Sequence, residues 1–134
     1  MSLIVDASVA VKWFAAEENS DRARALYAGG EELIAPDLVL AEVSNVMWKK
    51  LRRGLLLPDQ VVAAARRLPH YFERLIAISE LVERATELTV TLDHPVYDCF
   101  YLALAERERL PLVSADSRLL ALLDRYRLIE ARPL

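Results

Sequence analysis

The chain has 134 residues, 54% of them hydrophobic and 28% charged, and its 17 Lys and Arg against 20 Asp and Glu give a formal net charge of −3. A chain of this length buries roughly two thirds of the surface its unfolded form exposes, so disordered, collagen-like and low-complexity classes are excluded. With Cys99 as its one cysteine, no apolar run near the roughly 18–20 residues of a membrane span and Asp6 cutting short the N-terminal apolar run, a cytoplasmic protein without membrane partners is expected.

In chain order, the apolar run 3–5 predicts a strand ending at Asp6, and residues 9–14 have helical spacing. A turn at 17–20 leads into a helix over 21–28 with Ser20 as its cap, and Gly29-Gly30 turns the chain into a second strand over 32–35. Asp37 caps a long helix over 38–53 that Gly54 ends, and a further helix spans 58–68. Residues 70–73 suggest one more short strand. Helices follow over 79–88 and 96–109, then a strand over 112–114, a helix over 117–123 and a last strand over 127–130. Strands alternating with helices imply βαβ units. The expected fold is a single α/β domain over 1–134, with a short, mainly parallel sheet of four to five strands and helices on both faces.

In such a sheet ligands bind beyond the carboxyl ends of the strands. Two strands end in aspartate: Asp6 in I-V-D-A-S and Asp116 in L-V-S-A-D-S. Either also fits as a helix cap. Glu42 falls within an apolar stripe with Leu38, Val39 and Val46, and Asp98 shares a helix side with Tyr101, Leu102 and Ala105. Both lie near helix N-termini, where dipole complementarity is the alternative explanation. Gathered in one pocket, these carboxylates cannot all stay ionised without cations. An all-oxygen set favours Mg²⁺ or Mn²⁺, and no Cys/His set suits zinc. Two such ions about 3.5–4 Å apart would clamp an in-line phosphoryl displacement.

At these residues the sequence resembles the PIN domain, in particular the VapC toxin ribonucleases. The resemblance rests on I-V-D-A-S-V-A-V-K-W at the start, A-P-D-L-V-L-A-E-V-S-N-V-M near residue 40, Y-D-C-F-Y-L-A-L-A near residue 100 and L-V-S-A-D-S-R-L after it. It implies that Asp6, Glu42, Asp98 and Asp116 are catalytic acids and metal ligands, with Ser114 and Ser8 as hydroxyl supports. It also implies a Mg²⁺- or Mn²⁺-dependent endoribonuclease that leaves a 5′-phosphate and a 3′-hydroxyl. As a family member the chain would be a homodimeric toxin neutralised by a cognate antitoxin. His70 and His94 read as loop residues, and Cys99 as a small buried side chain.

RNA also needs a cationic rim, for which Lys49, Lys50, Arg52 and Arg53 at one helix end, with Arg66 and Arg67 on the next, are the candidates. Cations there also complement the helix dipole. Trp13 and Trp48 could stack on bases, but their helical spacing points to core or subunit contact. A phosphatase or phosphotransferase with Asp6 as nucleophile would place a second Asp where Ser8 stands, and a receiver domain would need adjacent acids after the first strand. An inactive PIN-like binding module is the other alternative. A dinucleotide fold is excluded, since Gly29, Gly30 and Gly54 are the only glycines. A pI near 5.4 first argues against nucleic acid. Setting the four site carboxylates aside, however, turns a net charge of −3 into +1.

Overall fold

The fold is built on five short strands, seen in a computed structural model that describes residues 1–134. The strands are β1 (Ser2–Val5), β2 (Glu32–Pro36), β3 (Arg74–Ile76), β4 (Leu112–Ser114) and β5 (Ala131–Pro133). All pair in parallel in the order β3-β2-β1-β4-β5. Parallel strands covered on both sides must be apolar without alternation, and the cores of β1, β2 and β4 are runs of fully buried Leu, Ile, Val and Ala.

The helices are α1 (Ala7–Ala10), α2 (Ser20–Ala28), α3 (Leu38–Arg52), α4 (Pro58–Arg67), α5 (Val82–Leu92), α6 (Val96–Glu108) and α7 (Ser117–Arg125). Crossovers between parallel strands are right-handed. Steps from β1 to β2 to β3 run one way across the sheet and put α1–α4 on one face; the return to β4 and β5 puts α5–α7 on the other. The direction reverses between β1 and β4, which makes their carboxyl ends the topological switch point.

The core is one cluster of 34 buried hydrophobic residues. Helix α6 is buried all round from Cys99 to Ala105, as a helix between a sheet and a second helix must be. Trp13 is buried as expected, stacked on Tyr71 at 4.9 Å with its indole N–H donating to the Ala23 carbonyl at 2.9 Å. Arg84 on α5 makes a bidentate pair with Glu106 on α6, at 2.8 and 3.1 Å.

Several local expectations shift. The extra strand proposed at 70–73 is instead a 3₁₀ turn, Leu68–Tyr71, and pairing begins where Glu73 N–H reaches the Leu33 carbonyl. The last strand lies at Ala131–Pro133, beyond 127–130, and the helix expected from 79 begins at Val82 after a 3₁₀ turn, Ile78–Glu80. Ser20 does not cap α2; its hydroxyl donates to the Ala15 carbonyl and accepts from Glu17 N–H, bracing the preceding loop. Asp37 does not cap α3 through its side chain, which accepts from Ile78 N–H across the sheet edge at 3.1 Å. Gly54, at φ +77°, does end α3: Leu55 N–H bonds the Lys50 carbonyl and Gly54 N–H the Leu51 carbonyl, the paired bonds of a Schellman motif.

Candidate active site

Pairing of Val5 with Val113 brings the residues after β1 and β4 side by side. The Asp6 carboxylate is 5% exposed and fully braced. Ser114 donates to Oδ2 at 2.6 Å, Ser8 to Oδ1 at 2.6 Å, and Val9 N–H to Oδ1 at 3.3 Å as Asp6 caps α1. The two hydroxyls also accept backbone N–H groups, Ser8 from Ala115 and Ser114 from Asp116, so each is locked as a donor toward Asp6. Burial nonetheless pushes the Asp6 carboxyl up to about 6, with the nearby Asp98 charge acting in the same direction.

Glu42 projects from the second turn of α3, beside the buried stripe of Val39, Val43 and Met47. Its Oε1 accepts from the Tyr101 phenol at 2.6 Å, and Tyr101 is 1% exposed on α6. Burial lifts the Glu42 carboxyl to about 7 against that hydrogen bond, and the charges of Asp98 and Asp6 add to the rise. The same burial and the Glu42 charge keep the Tyr101 phenol protonated, so it is a fixed donor. Sequence reasoning placed Tyr101 beside Asp98 and missed its hydroxyl. The signal was a phenol in an otherwise buried helix, because a buried Tyr O–H needs an acceptor.

Asp98 lies in the first turn of α6, and His94 Nε2 meets its Oδ2 at 2.6 Å. His94 sits in the loop expected of it, but its ring is turned onto the carboxylate by the Asp93–Pro95 turn, where Asp93 takes φ +50°. The four-residue spacing of His94 and Asp98 was the available signal. Cys99 is buried as expected.

Asp116 caps α7, accepting from Arg118 N–H at 2.8 Å and Leu119 N–H at 3.3 Å, both through Oδ1. It also lines a cleft of ≈ 490 Å³ with Glu42, Ser8, Asn45, Lys12 and Lys49. A larger hollow of ≈ 630 Å³ runs along α5 past Val82, Thr86 and Val90, away from the four acids, so the chemistry belongs to the smaller cleft. The Asp98 charge acts on both Asp6 and Glu42, and the Asp6 charge acts on Glu42, which joins these three as one electrostatic group. No three Asp, Glu, His or Cys side chains close into a ready-made metal cage.

Lys49 stands exposed at the cleft, and Arg53 is exposed at the end of α3. Lys50 is turned away to Glu17, 2.9 Å distant, so its charge is already paired. Arg67 donates to the Tyr71 hydroxyl at 3.2 Å. Trp48 is not a core residue: it is 46% exposed, with the Arg52 guanidinium 5.2 Å from its ring centre. Helical spacing alone put it with the apolar stripe, but it lies on the flank that no other element covers.

The Glu42–Tyr101 bond predicts a specific phenotype. Tyr101→Phe leaves the buried ring in place and removes one donor, so Glu42 should become harder to ionise and divalent-ion affinity should fall about tenfold, for one lost charge-assisted hydrogen bond. Calorimetric Mg²⁺ titration of the variant checks this; an unchanged affinity would exclude the role.

The parallel sheet and the cleft over its switch point define an α/β protein with an all-oxygen acidic site. The chain belongs to the PIN domain family, whose model matches residues 3–125. It is similar to Ribonuclease VapC3 of Pyrobaculum aerophilum, at 36% identity over 89% of this chain and 92% of that protein. Ribonuclease VapC9 of Mycobacterium tuberculosis is 35% identical over 87% of each chain. Among solved structures, the Mycobacterium tuberculosis toxin VapC20 aligns with a TM-score of 0.68 at 22% identity, over 89% of this chain and 93% of that one. FitAcB from Neisseria gonorrhoeae aligns with a TM-score of 0.60 at 16% identity, over 96% and 95%. These two likenesses show the fold. PIN-domain nucleases are in general divalent-metal dependent.

Proposed function

We propose that the chain is a Mg²⁺- or Mn²⁺-dependent endoribonuclease, the toxin of a VapBC-type toxin–antitoxin pair, with its active site at Asp6, Glu42 and Asp98, beside the cleft that Glu42 and Asp116 line. The observation that carries this reading is the unneutralised acidic group itself. Two of its carboxyls are pushed up to about 6 and about 7 by burial and by mutual repulsion, a state that a hard divalent cation relieves. Relatives named VapC ribonucleases, covering most of the chain, point the same way.

The residues present fit such an ion. Every candidate donor is oxygen, and Mg²⁺ characteristically binds through few carboxylates while keeping waters and substrate phosphate. Asp6, Glu42 and Asp98 would hold it, with Asp116 as a further oxygen donor at the α7 cap. When bound, the ion supplies Lewis-acid stabilisation of the charge developing at phosphorus and makes water a better nucleophile. Ser8 and Ser114 hold the Asp6 carboxylate in one orientation, Tyr101 holds that of Glu42 and His94 that of Asp98. In-line attack by water forms the new P–O bond and breaks the bond to the 3′-oxygen, which leaves as a hydroxyl beside a 5′-phosphate. Asp6 itself is a poor nucleophile, because hydroxyl groups occupy both its oxygens, and this disfavours the aspartyl-phosphate alternative. Lys49 and Arg53 would meet the RNA backbone, with Arg52 beside them.

A homodimer, a cytoplasmic setting and an antitoxin whose tail covers the cleft belong to the same reading. No helix is long and apolar enough to cross a membrane. The test is direct: unstructured and loop-containing RNA should be cleaved with Mg²⁺ or Mn²⁺ and should stay intact after EDTA. Cleavage that EDTA leaves untouched would overturn the metal-dependent reading.

A further inference from the structure

The surface beside the acidic cleft carries an aromatic feature that the reaction does not use. Trp48 and Trp13 are the chain's 2 tryptophans, and whereas Trp13 is buried, Trp48 is 46% exposed. Its ring faces the Arg52 guanidinium at 5.2 Å, and a hollow of ≈ 400 Å³ is walled by Trp48, Lys49, Arg52 and Arg53. Lys49 also lines the acidic cleft, so the two hollows share a wall. Glu42 and Lys49 on α3 and Arg53 at its C-cap are seven and four residues apart and lie on one stripe; Trp48 and Arg52 form the flank beside it. From Glu42 to Trp48 the helix rises about 9 Å.

Three cations share this hollow with the one aromatic. None of Lys49, Arg52 and Arg53 pairs with a carboxylate, unlike Lys50, which is bound to Glu17. A partner for such a surface must bring anionic groups and a flat apolar face together, in alternation. A single-stranded polynucleotide does so at every residue, with phosphates for the cations and bases for the indole.

We propose that Trp48, backed by Arg52, is a stacking platform for an unpaired nucleobase of the RNA substrate, next to the phosphate that enters the acidic cleft past Lys49. The platform rests on the reading of that cleft as a ribonuclease site and adds to it a specific base contact outside the acidic group. Duplex RNA keeps its bases stacked inside and offers the platform only phosphates.

The experiment uses Asp98→Asn protein, to prevent cleavage, with Mg²⁺ present. It compares oligoadenylate, the same strand paired with oligouridylate, and an abasic strand of equal length. Trp48 dominates any change in tryptophan emission on binding, because Trp13 is enclosed. Oligoadenylate should alter the emission saturably, and the duplex and abasic strands should not. Adding Trp48→Ala should weaken oligoadenylate binding about 5- to 100-fold and leave abasic-strand binding within about twofold, whereas Trp48→Phe should retain most of the affinity. In the cleaving protein, Trp48→Ala should raise KM with little change in kcat. An emission blind to oligoadenylate, or an equal loss for the abasic strand, would overturn the platform. An emission that changes with protein concentration and not with RNA would also overturn it, and would assign the surface to a second copy. Metal-dependent cleavage by the wild type is scored separately: its absence counts against the ribonuclease reading, whereas intact cleavage with an indifferent Trp48 counts only against the platform.

Discussion

Asp6→Asn and Asp98→Asn should each lower the rate of RNA cleavage about 10³-fold, equivalent to about 4 kcal/mol of transition-state stabilisation. Both substitutions keep side-chain shape and remove charge from the group that would hold the ion. The double variant should be scarcely worse than either single one, because residues that act as a unit do not contribute additively. Folding should not suffer. The Asp6 carboxyl is buried and costly to ionise, so an amide in its place removes a penalty that offsets the one hydroxyl donor it leaves unmatched. A melting temperature at pH 7.5, measured without divalent ions, should be unchanged or higher in Asp6→Asn. Cleavage by both variants at wild-type rate would remove these acids from the mechanism.

The second large effect is an unusual response of stability to pH. Asp6 is raised from 3.8 to about 6 and Glu42 from 4.5 to about 7 in the folded protein. A raised carboxyl pKa means that the folded state binds the proton more tightly than the unfolded state does. The associated stability is therefore fully present below the unfolded values and is lost as pH rises through 6 and 7. For buried Asp6 the loss is on the order of 2–3 kcal/mol. Glu106, held below its ordinary value by Arg84, acts in the opposite sense, but only as pH falls below about 4.5. In EDTA the protein should thus melt about 5–10 °C higher at pH 5 than at pH 7.5. Mg²⁺ should restore the difference at pH 7.5 and do little at pH 5, where protons already occupy Asp6 and Glu42. Thermal melts in the four conditions check this, and a melting temperature that rises with pH in EDTA would contradict it.

These two predictions differ in what they needed. The first uses acids that the sequence displays openly, a carboxylate after a strand and carboxylates set in apolar stripes, because solvation forbids such placements without a compensating partner. The second needs burial and proximity. That Asp6, Glu42 and Asp98 repel one another depends on β1, α3 and α6 meeting at one edge of the sheet. Asp116 was legible as an acid after a strand, and the structure shows it spending one oxygen on the α7 cap.

From the sequence alone came the α/β alternation, the predominantly apolar strands, the terminating Gly54 and the acids with their motifs. All of these are encoded in local periodicity, turn chemistry and the solvation cost of a misplaced charge. Only the tertiary structure decided the strand order and the contacts that follow from it: Ser114 on Asp6 across 108 residues, Tyr101 on Glu42 across 59. It also decided that Lys50 is paired and that Trp48 is exposed, since a helix's periodicity shows which residues share a face but not which face its neighbours leave uncovered. The physical reason is the same throughout. A contact between distant segments is set by how the helices pack on the sheet, and the residues in it carry no mark of their partners.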